Sequence, residues 1–195
     1  MPCSIVNAHC PFDYALFGGA VCVMGVFDGV HLGHRYLIDQ AIQDAKENDS
    51  RCVIVTFSVD PDELFNKQGL HKLETNAQRL NKLATLGADS VAVLPFDEEF
   101  ASQNPMQFLQ RIFRKFPPKS IHVGKDFRFG ANAEGDVGLL QEWGNGRGVR
   151  IVPHELLQVD GEAVSATRIR HLLEQGNNTQ ANKLLGVTIG KLSTV

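Results

Sequence analysis

Gly25-Val26-Phe27-Asp28-Gly29-Val30-His31-Leu32-Gly33-His34 is the stretch on which the reading of this chain turns. It begins where an apolar run, Val21-Cys22-Val23-Met24, gives way to a turn punctuated by glycines, and it ends in two histidines three residues apart. An unbroken apolar run of this kind suits a central strand buried on both faces. Downstream, Leu37, Ile38, Ala41, Ile42 and Ala45 recur at helical spacing. The stretch is therefore expected to cross from a strand into a helix. In an open parallel sheet such crossings lie at the carboxyl ends of the strands, where ligands bind, and the helix start offers unpaired N–H groups to an anion. His31 and His34 would share one helix face and point at the same ligand, and the pattern predicts a phosphate site.

Working outward, β-branched apolar segments alternate with helical patterns almost to the end of the chain, the mark of βαβ units. Strands are predicted near Val21 to Phe27, Arg51 to Phe57, Ser90 to Phe96, Ser120 to Gly124 and Val149 to Pro153. The predicted fold is α/β, a Rossmann-like doubly wound parallel sheet with short C-terminal helices. Helix starts are marked by Thr75 with Gln78 as a capping box, by Asn104 before Pro105, and by Asp136. The long connections at Asn66 to Glu74 and Lys125 to Gly135 are where functional or mobile loops are expected. Ser165 is predicted to cap a helix whose first turn carries Thr167, Arg168 and Arg170. Cations are disfavoured there by the helix dipole, so a bound anion is one explanation and solvated surface arginines the other. A last helix is predicted over Gln180 to Leu185, with Thr179 as its cap and Gly186 as its stop.

The 195 residues, 43% of them hydrophobic, suffice for one domain over 1–195, with a core at about 20–186. No apolar run approaches the roughly 20 residues of a membrane span, and the N-terminus lacks a basic region followed by an apolar one. A cytoplasmic protein without a membrane partner is expected. The net charge of −3 offers no global attraction for nucleic acid, so an anionic substrate must be held by local groups. Cys3, Cys10, Cys22 and Cys52 lack metal-type spacing and read as reduced, structural thiols. The pair His31 and His34 could ligate Zn2+, but no neighbouring cluster supplies an obvious third ligand, and a purely structural pair is the other alternative. His9, His71, His122, His154 and His171 have no motif context and read as surface or satisfied interior residues.

Three ordered motifs carry a family resemblance. Gly25 to His34 resembles the signature of the HxGH nucleotidylyltransferases, while Val123-Gly124-Lys125-Asp126-Phe127-Arg128-Phe129-Gly130 and Val164 to Arg170 resemble the adenylyltransferase module of bacterial bifunctional riboflavin kinase/FAD synthetases. Leu94 to Ala101 is similar to that module's third strand and following loop. The resemblance implies adenylyl transfer from ATP to FMN, giving FAD and pyrophosphate, with Mg2+ as the companion of ATP. It implies His31, His34 and Arg168 as catalytic groups, and an ATP site of Gly25, Val26, Phe27, Asp28, Gly33, His34, Asp126, Ser165, Thr167 and Arg168. It implies a flavin site of Phe57, Asp60, Pro61, Phe96, Phe127, Arg128 and Phe129, and no resident metal site.

The chain departs from the family pattern at three points. Val26 stands where a small polar residue is usual, Asp60 where a histidine precedes the proline, and Ala166 where a hydroxyl residue is common. A carboxylate at Asp60 would repel an acceptor phosphate. Two alternatives follow, a nucleotidylyltransferase for a different phosphorylated acceptor and a catalytically silent nucleotide- or flavin-binding module. Nothing like the family's C-terminal kinase barrel is present before Val195, so riboflavin phosphorylation is not expected.

Overall fold

The computed structural model describes residues 3–8, 13–60 and 72–186. Its frame is a six-stranded, all-parallel sheet made of β1 (Ser4–Asn7), β2 (Val21–Met24), β3 (Cys52–Phe57), β4 (Ser90–Leu94), β5 (Ser120–Gly124) and β6 (Arg150–His154), in the spatial order β1-β4-β3-β2-β5-β6. The chain winds from β2 through β3 to β4 in one direction, then returns to β5 and β6 in the other. The direction reverses between β2 and β5, and at this switch point the carboxyl ends of neighbouring strands diverge to leave a crevice.

Residue alternation along the strands assigns the two faces. Val21, Val23, Cys52, Ile54, Val91 and Val93 pack with α1 (Leu32–Glu47) and α2 (Asn76–Ala84). Cys22, Met24, Val53, Val55, Ala92 and Leu94 face the opposite layer, formed by α4 (Pro105–Phe113), α5 (Val137–Asn145) and the 3-10 turn Asp13–Phe17. Between β4 and α4 lies the single turn α3 (Glu98–Ala101). A third cluster joins Val164, Ile169, Ala181 and Leu184 and ties α6 (Ala166–Glu174) and α7 (Asn178–Leu185) to the edge of the switch point.

Local chemistry explains the element boundaries. Thr75 and Gln78 form a reciprocal capping box, as do Asn104 and Gln107 ahead of Pro105, and Asp136 caps α5 through the Leu139 N–H. Each satisfies N–H groups that a helix start leaves open.

Three features differ from the sequence expectation. The edge strand β1 was not predicted because Ser4–Asn7 is short and three of its four residues are exposed, so it lacks the apolar signal of the central strands. A small antiparallel hairpin, β7 (Gln158–Val159) with β8 (Glu162–Ala163), was missed for the same reason. The last helix starts two residues earlier than predicted, because Asn177 rather than Thr179 accepts the Gln180 N–H; Gly186 does end it, in the left-handed conformation. Much of the predicted Asn66 to Glu74 connection, together with His9, Cys10, Pro61 and His71, lies outside the described residues.

Leu109 on α4 is fully buried among the aromatic rings of the α4/α5 layer. Leu109→Ala is expected to lower the unfolding free energy by about 2–5 kcal/mol in a urea titration monitored by circular dichroism, without changing the cooperativity of the transition.

Candidate active site at the strand switch

At Gly25 the chain leaves β2 and turns sharply. Gly25 must be glycine because a Cβ there would lie 2.9 Å from the Phe27 ring. Phe27 and Val30 adopt left-handed backbone conformations, with φ of 62° and 42°, on either side of Gly29 at 75°. Such conformations are costly for bulky and β-branched residues and persist only where the surroundings enforce them. Burial of Phe27 and Val30 supplies that enforcement, as does a hydrogen bond from Arg35 Nε to the Val30 carbonyl. Gly29 itself does not open the backbone to a ligand. A Cβ there would meet Leu73 at 2.7 Å, so its role is packing.

The turn ends with His31 as the N-cap of α1, its Nδ1 accepting the His34 N–H at 3.3 Å. The two imidazoles stack with centroids 3.5 Å apart, and Phe27 packs edge-on against His34. Burial pushes the His31 pKa down to about 4, and burial together with the charges of His31 and Arg79 pushes that of His34 well below the usual value. Both rings are therefore neutral. With His31 Nδ1 acting as an acceptor, its proton resides on Nε2, which makes it a donor. His34 Nδ1 is buried and meets no partner among the described residues.

Two cavities open at this crossing. One, of about 360 Å³, is lined by Gly25 to Asp28, His31, Gly33 and His34 on one side, and by Ser165, Ala166, Thr167 and Arg170 on the other. The starts of α1 and α6 thus confront each other across it. Asp126, Tyr36, His154, Leu156 and Leu157 are also part of the wall. The second, of about 580 Å³, is an aromatic chamber walled by Phe57, Phe96, Phe100, Phe108, Phe127 and Phe129, with Arg128 at its edge. Its rings form a continuous chain of contacts, from Phe57 on Phe96 at 5.3 Å to Phe127 stacked on Phe129 at 5.7 Å. Gly25, Val26, Asp126 and Phe127 line both cavities, which makes them neighbours through a shared wall.

The structure brings together all the predicted site residues except Arg168 and Pro61, and it places one other, Asp60, on a different wall from the one expected. Arg168 lines neither cavity. Its guanidinium donates to the carbonyls of Val159, Glu162 and Ala163 and pairs with Glu162, clamping the β7/β8 hairpin. The arginine in the cavity is Arg170, 2.6 Å from the Asp28 carboxylate. Helical spacing already contained this distinction, because Thr167 and Arg170 are three apart and share a face whereas Arg168 is rotated away. Asp60, expected beside the flavin, is buried on the wall of the first cavity instead. Pro61 lies outside the described residues. Asp28 does line the cavity, but its carboxylate is engaged by Arg170 and by the Leu73 N–H.

Arg79 escaped sequence reading altogether. It is 2% exposed, and its guanidinium donates to the Val26 carbonyl at 2.5 Å, Thr56 Oγ1 at 2.6 Å and the Phe57 carbonyl at 2.6 Å. The cation on α2 therefore pins the carboxyl end of β3 to the turn after β2. It also explains how a valine is accommodated at position 26. The backbone carbonyl there is already bound by Arg79 and Thr56, while the side chain packs on the core.

Because His31 titrates near 4 when folded and near 6.5 when unfolded, the unfolded chain binds a proton that the folded chain excludes. Its share of stability is complete above about pH 6.5 and is lost as pH falls toward 4. His31→Asn, which keeps an N-cap side chain, is expected to reduce the loss of stability between pH 7 and 4 by about 3 kcal/mol, measured by denaturant titrations across that range.

With the geometry established, comparison with known proteins assigns the family. The FAD synthetase family model matches residues 15–168. A Geobacillus thermodenitrificans protein provisionally described as a bifunctional riboflavin kinase/FMN adenylyltransferase is 36% identical over 172 residues, covering 86% of this chain and 90% of its own length. The Escherichia coli K12 bifunctional riboflavin kinase/FMN adenylyltransferase is 34% identical over 86% of this chain, which spans 54% of that relative. A crystal structure described as a macrolide-efflux protein from Streptococcus pneumoniae superposes with a TM-score of 0.81 at 26% identity, over 96% of this chain and 72% of the other. Among the described residues no helix is long and apolar enough to cross a membrane. The matched span contains β2 through β6 and the start of α6, the elements that build both cavities, and the chain belongs to the FAD synthetase family.

Proposed function

We propose that this chain transfers the adenylyl group of ATP to FMN, forming FAD and pyrophosphate. The observation that carries the reading is the junction of two unlike cavities at one strand switch, one with two facing helix starts and the other walled by phenylalanines. A triphosphate suits the first and a flat tricyclic ring suits the second. Their common wall is where the acceptor phosphate would meet the α-phosphorus. A phosphate oxygen of FMN attacks that phosphorus, the bond to the bridging oxygen breaks, and pyrophosphate leaves. Chemistry of this type asks the protein for in-line positioning and stabilisation of developing charge rather than for covalent participation.

On this reading His31 Nε2–H and the N–H groups of Leu32 and Gly33 donate to the phosphates at the start of α1. Neutral imidazoles serve because they donate without carrying a charge that the positive end of the helix would oppose. Thr167 and Arg170 receive the leaving pyrophosphate from the start of α6, with Asp28 holding the guanidinium in place. Mg2+, when bound with ATP, would neutralise phosphate charge. Such an ion keeps several waters and takes one or two carboxylates beside the substrate phosphates, and the exposed Asp126 on the shared wall fits that requirement. A second reading, nucleotidylyl transfer to a different phosphorylated acceptor, is favoured by Asp60, a buried carboxylate on the nucleotide cavity.

Incubation of the purified protein with FMN and Mg-ATP should yield FAD by chromatography, and failure to do so while ATP binding is intact overturns the proposal. Pyrophosphate release across a panel of other phosphorylated acceptors tests the second reading. Arg170→Ala and His31→Ala are each expected to lower turnover about 100-fold or more, the scale of losing a preorganised charge-stabilising donor. Arg168→Ala should instead lower the melting temperature, with a smaller effect on turnover.

A further inference from the structure

A chain of hydrogen bonds runs from the outer end of α1 to the wall of the nucleotide cavity. Asp44 Oδ2 lies 2.9 Å from His122 Nε2, and His122 Nδ1 lies 2.9 Å from His154 Nε2. The two imidazoles are stacked with an interplanar angle of 20°, and the edge of His154 meets Tyr36 at 6.3 Å. His122 is 2% exposed on β5, whereas His154 ends β6 and lines the cavity. The mechanism proposed above uses none of these groups.

Proton bookkeeping along this chain has one solution. Asp44 also accepts from Ser120 Oγ at 2.7 Å, from Arg150 at 2.5 Å and from Asn48 at 2.8 Å. Burial would raise its carboxyl, but the bonds from His122, Arg150 and Ser120 hold it at about 2, so it is an acceptor only. His122 must then donate through Nε2. Burial keeps His122 neutral despite Asp44, which leaves its Nδ1 as a lone pair, so His154 must donate through Nε2. Burial and the neighbouring His122 keep His154 neutral as well, and its lone pair is left on Nδ1. That atom has no hydrogen-bond partner among the described residues. The charged groups beside the chain are the ion pair of Asp44 and Arg150, and, on the cavity wall with His154, Asp126 and Glu155, the latter paired with Lys125.

We infer that Asp44 and His122 act as positioning residues that lock His154 in a single tautomer, making its Nδ1 a fixed hydrogen-bond acceptor for a nucleoside N–H or O–H group. Phosphate oxygens carry no donor at neutral pH, so a lone pair at this point is matched to the base or the ribose and opposed to the phosphates. It therefore orients the nucleotide. Phosphates go toward His31, Gly33 and Thr167, and the nucleoside goes toward His154 and the apolar Leu156. The inference rests on the reading of this cavity as a nucleotide site, though not on transfer to FMN.

Two measurements test it on the full chain. First, 15N spectra of the histidine rings at pH 7 should show His154 and His122 protonated at Nε2 only, and Asp44→Asn should change the tautomer population of His154. A His154 ring protonated at Nδ1 in the wild type, or unchanged by Asp44→Asn, overturns the relay. Second, calorimetry should compare ATP with purine riboside triphosphate, which lacks the 6-amino group, and with 2′-deoxy- and 3′-deoxy-ATP. The analogue missing the engaged donor should bind about tenfold more weakly to the wild type, the scale of one neutral hydrogen bond. That difference should vanish in His154→Phe, and the sensitive analogue identifies the donor as base or ribose. Equal binding of all four by the wild type, or discrimination that survives in His154→Phe, overturns the inference. A protein that passes both tests but makes no FAD leaves the relay standing and removes only the proposed acceptor.

Discussion

One buried guanidinium holds the site together. Arg79 reaches from α2 beneath the crossing and binds the Val26 carbonyl, the Thr56 hydroxyl and the Phe57 carbonyl at once. The first belongs to the turn after β2, and the other two to the carboxyl end of β3. Strand ends in an open sheet have no further ladder partner to fix them, so an arginine with a rigid fork of donors serves as the tie. Its charge also disfavours protonation of His34, and a neutral His34 is what allows the tight stack on His31. Strained backbone at Phe27 and Val30, the N-cap at His31 and the open first turn of α1 all depend on this anchored crossing.

The fold was legible because the sheet is buried on both faces. Val21–Met24 and Cys52–Phe57 present no exposed residue, and runs of that kind can be read without knowledge of their partners. The caps at Thr75, Asn104, Asp136 and Ser165 were legible too, because each bond spans only three residues. Short elements with little buried surface, such as β1 and the β7/β8 hairpin, escaped because their stability comes from neighbours distant in sequence.

The site was legible to the extent that it follows from local geometry. Gly25, Gly33 and the histidine pair lie on one turn, and the phenylalanines end strands or occupy the loops beside them. What could not be read were pairings across the chain. Asp28 meets Arg170 over 142 residues, Arg79 meets Val26 over 53, and His122 meets Asp44 over 78. Two arginines separated by one residue look alike in a motif and differ only in helical phase. The structure gives them different work, since Arg168 satisfies hairpin carbonyls and Arg170 faces the cavity. Histidines without a motif are equally ambiguous until a carboxylate is found within reach.

These pairings bear on how a chain of net charge −3 would hold the triphosphate proposed for this cavity. Overall charge contributes little at the bottom of a cleft, where the local field is set by the nearest dipoles and ions. Here the start of α1 and the start of α6 direct partial positive charge at one space, with Arg170 beside them. Asp28 would weaken that field if it were unpaired, but it lies 2.6 Å from Arg170 and acts with it as an oriented dipole. Neutral His31 and His34 add donors without adding like charges to the helix end. Away from the two helix starts the requirement changes, and the wall changes with it, to the lone pair of His154 and the apolar faces of Leu156 and Leu157. Asp60 lines this same cavity, and of the three departures from the family pattern it is the one that places a carboxylate on this wall.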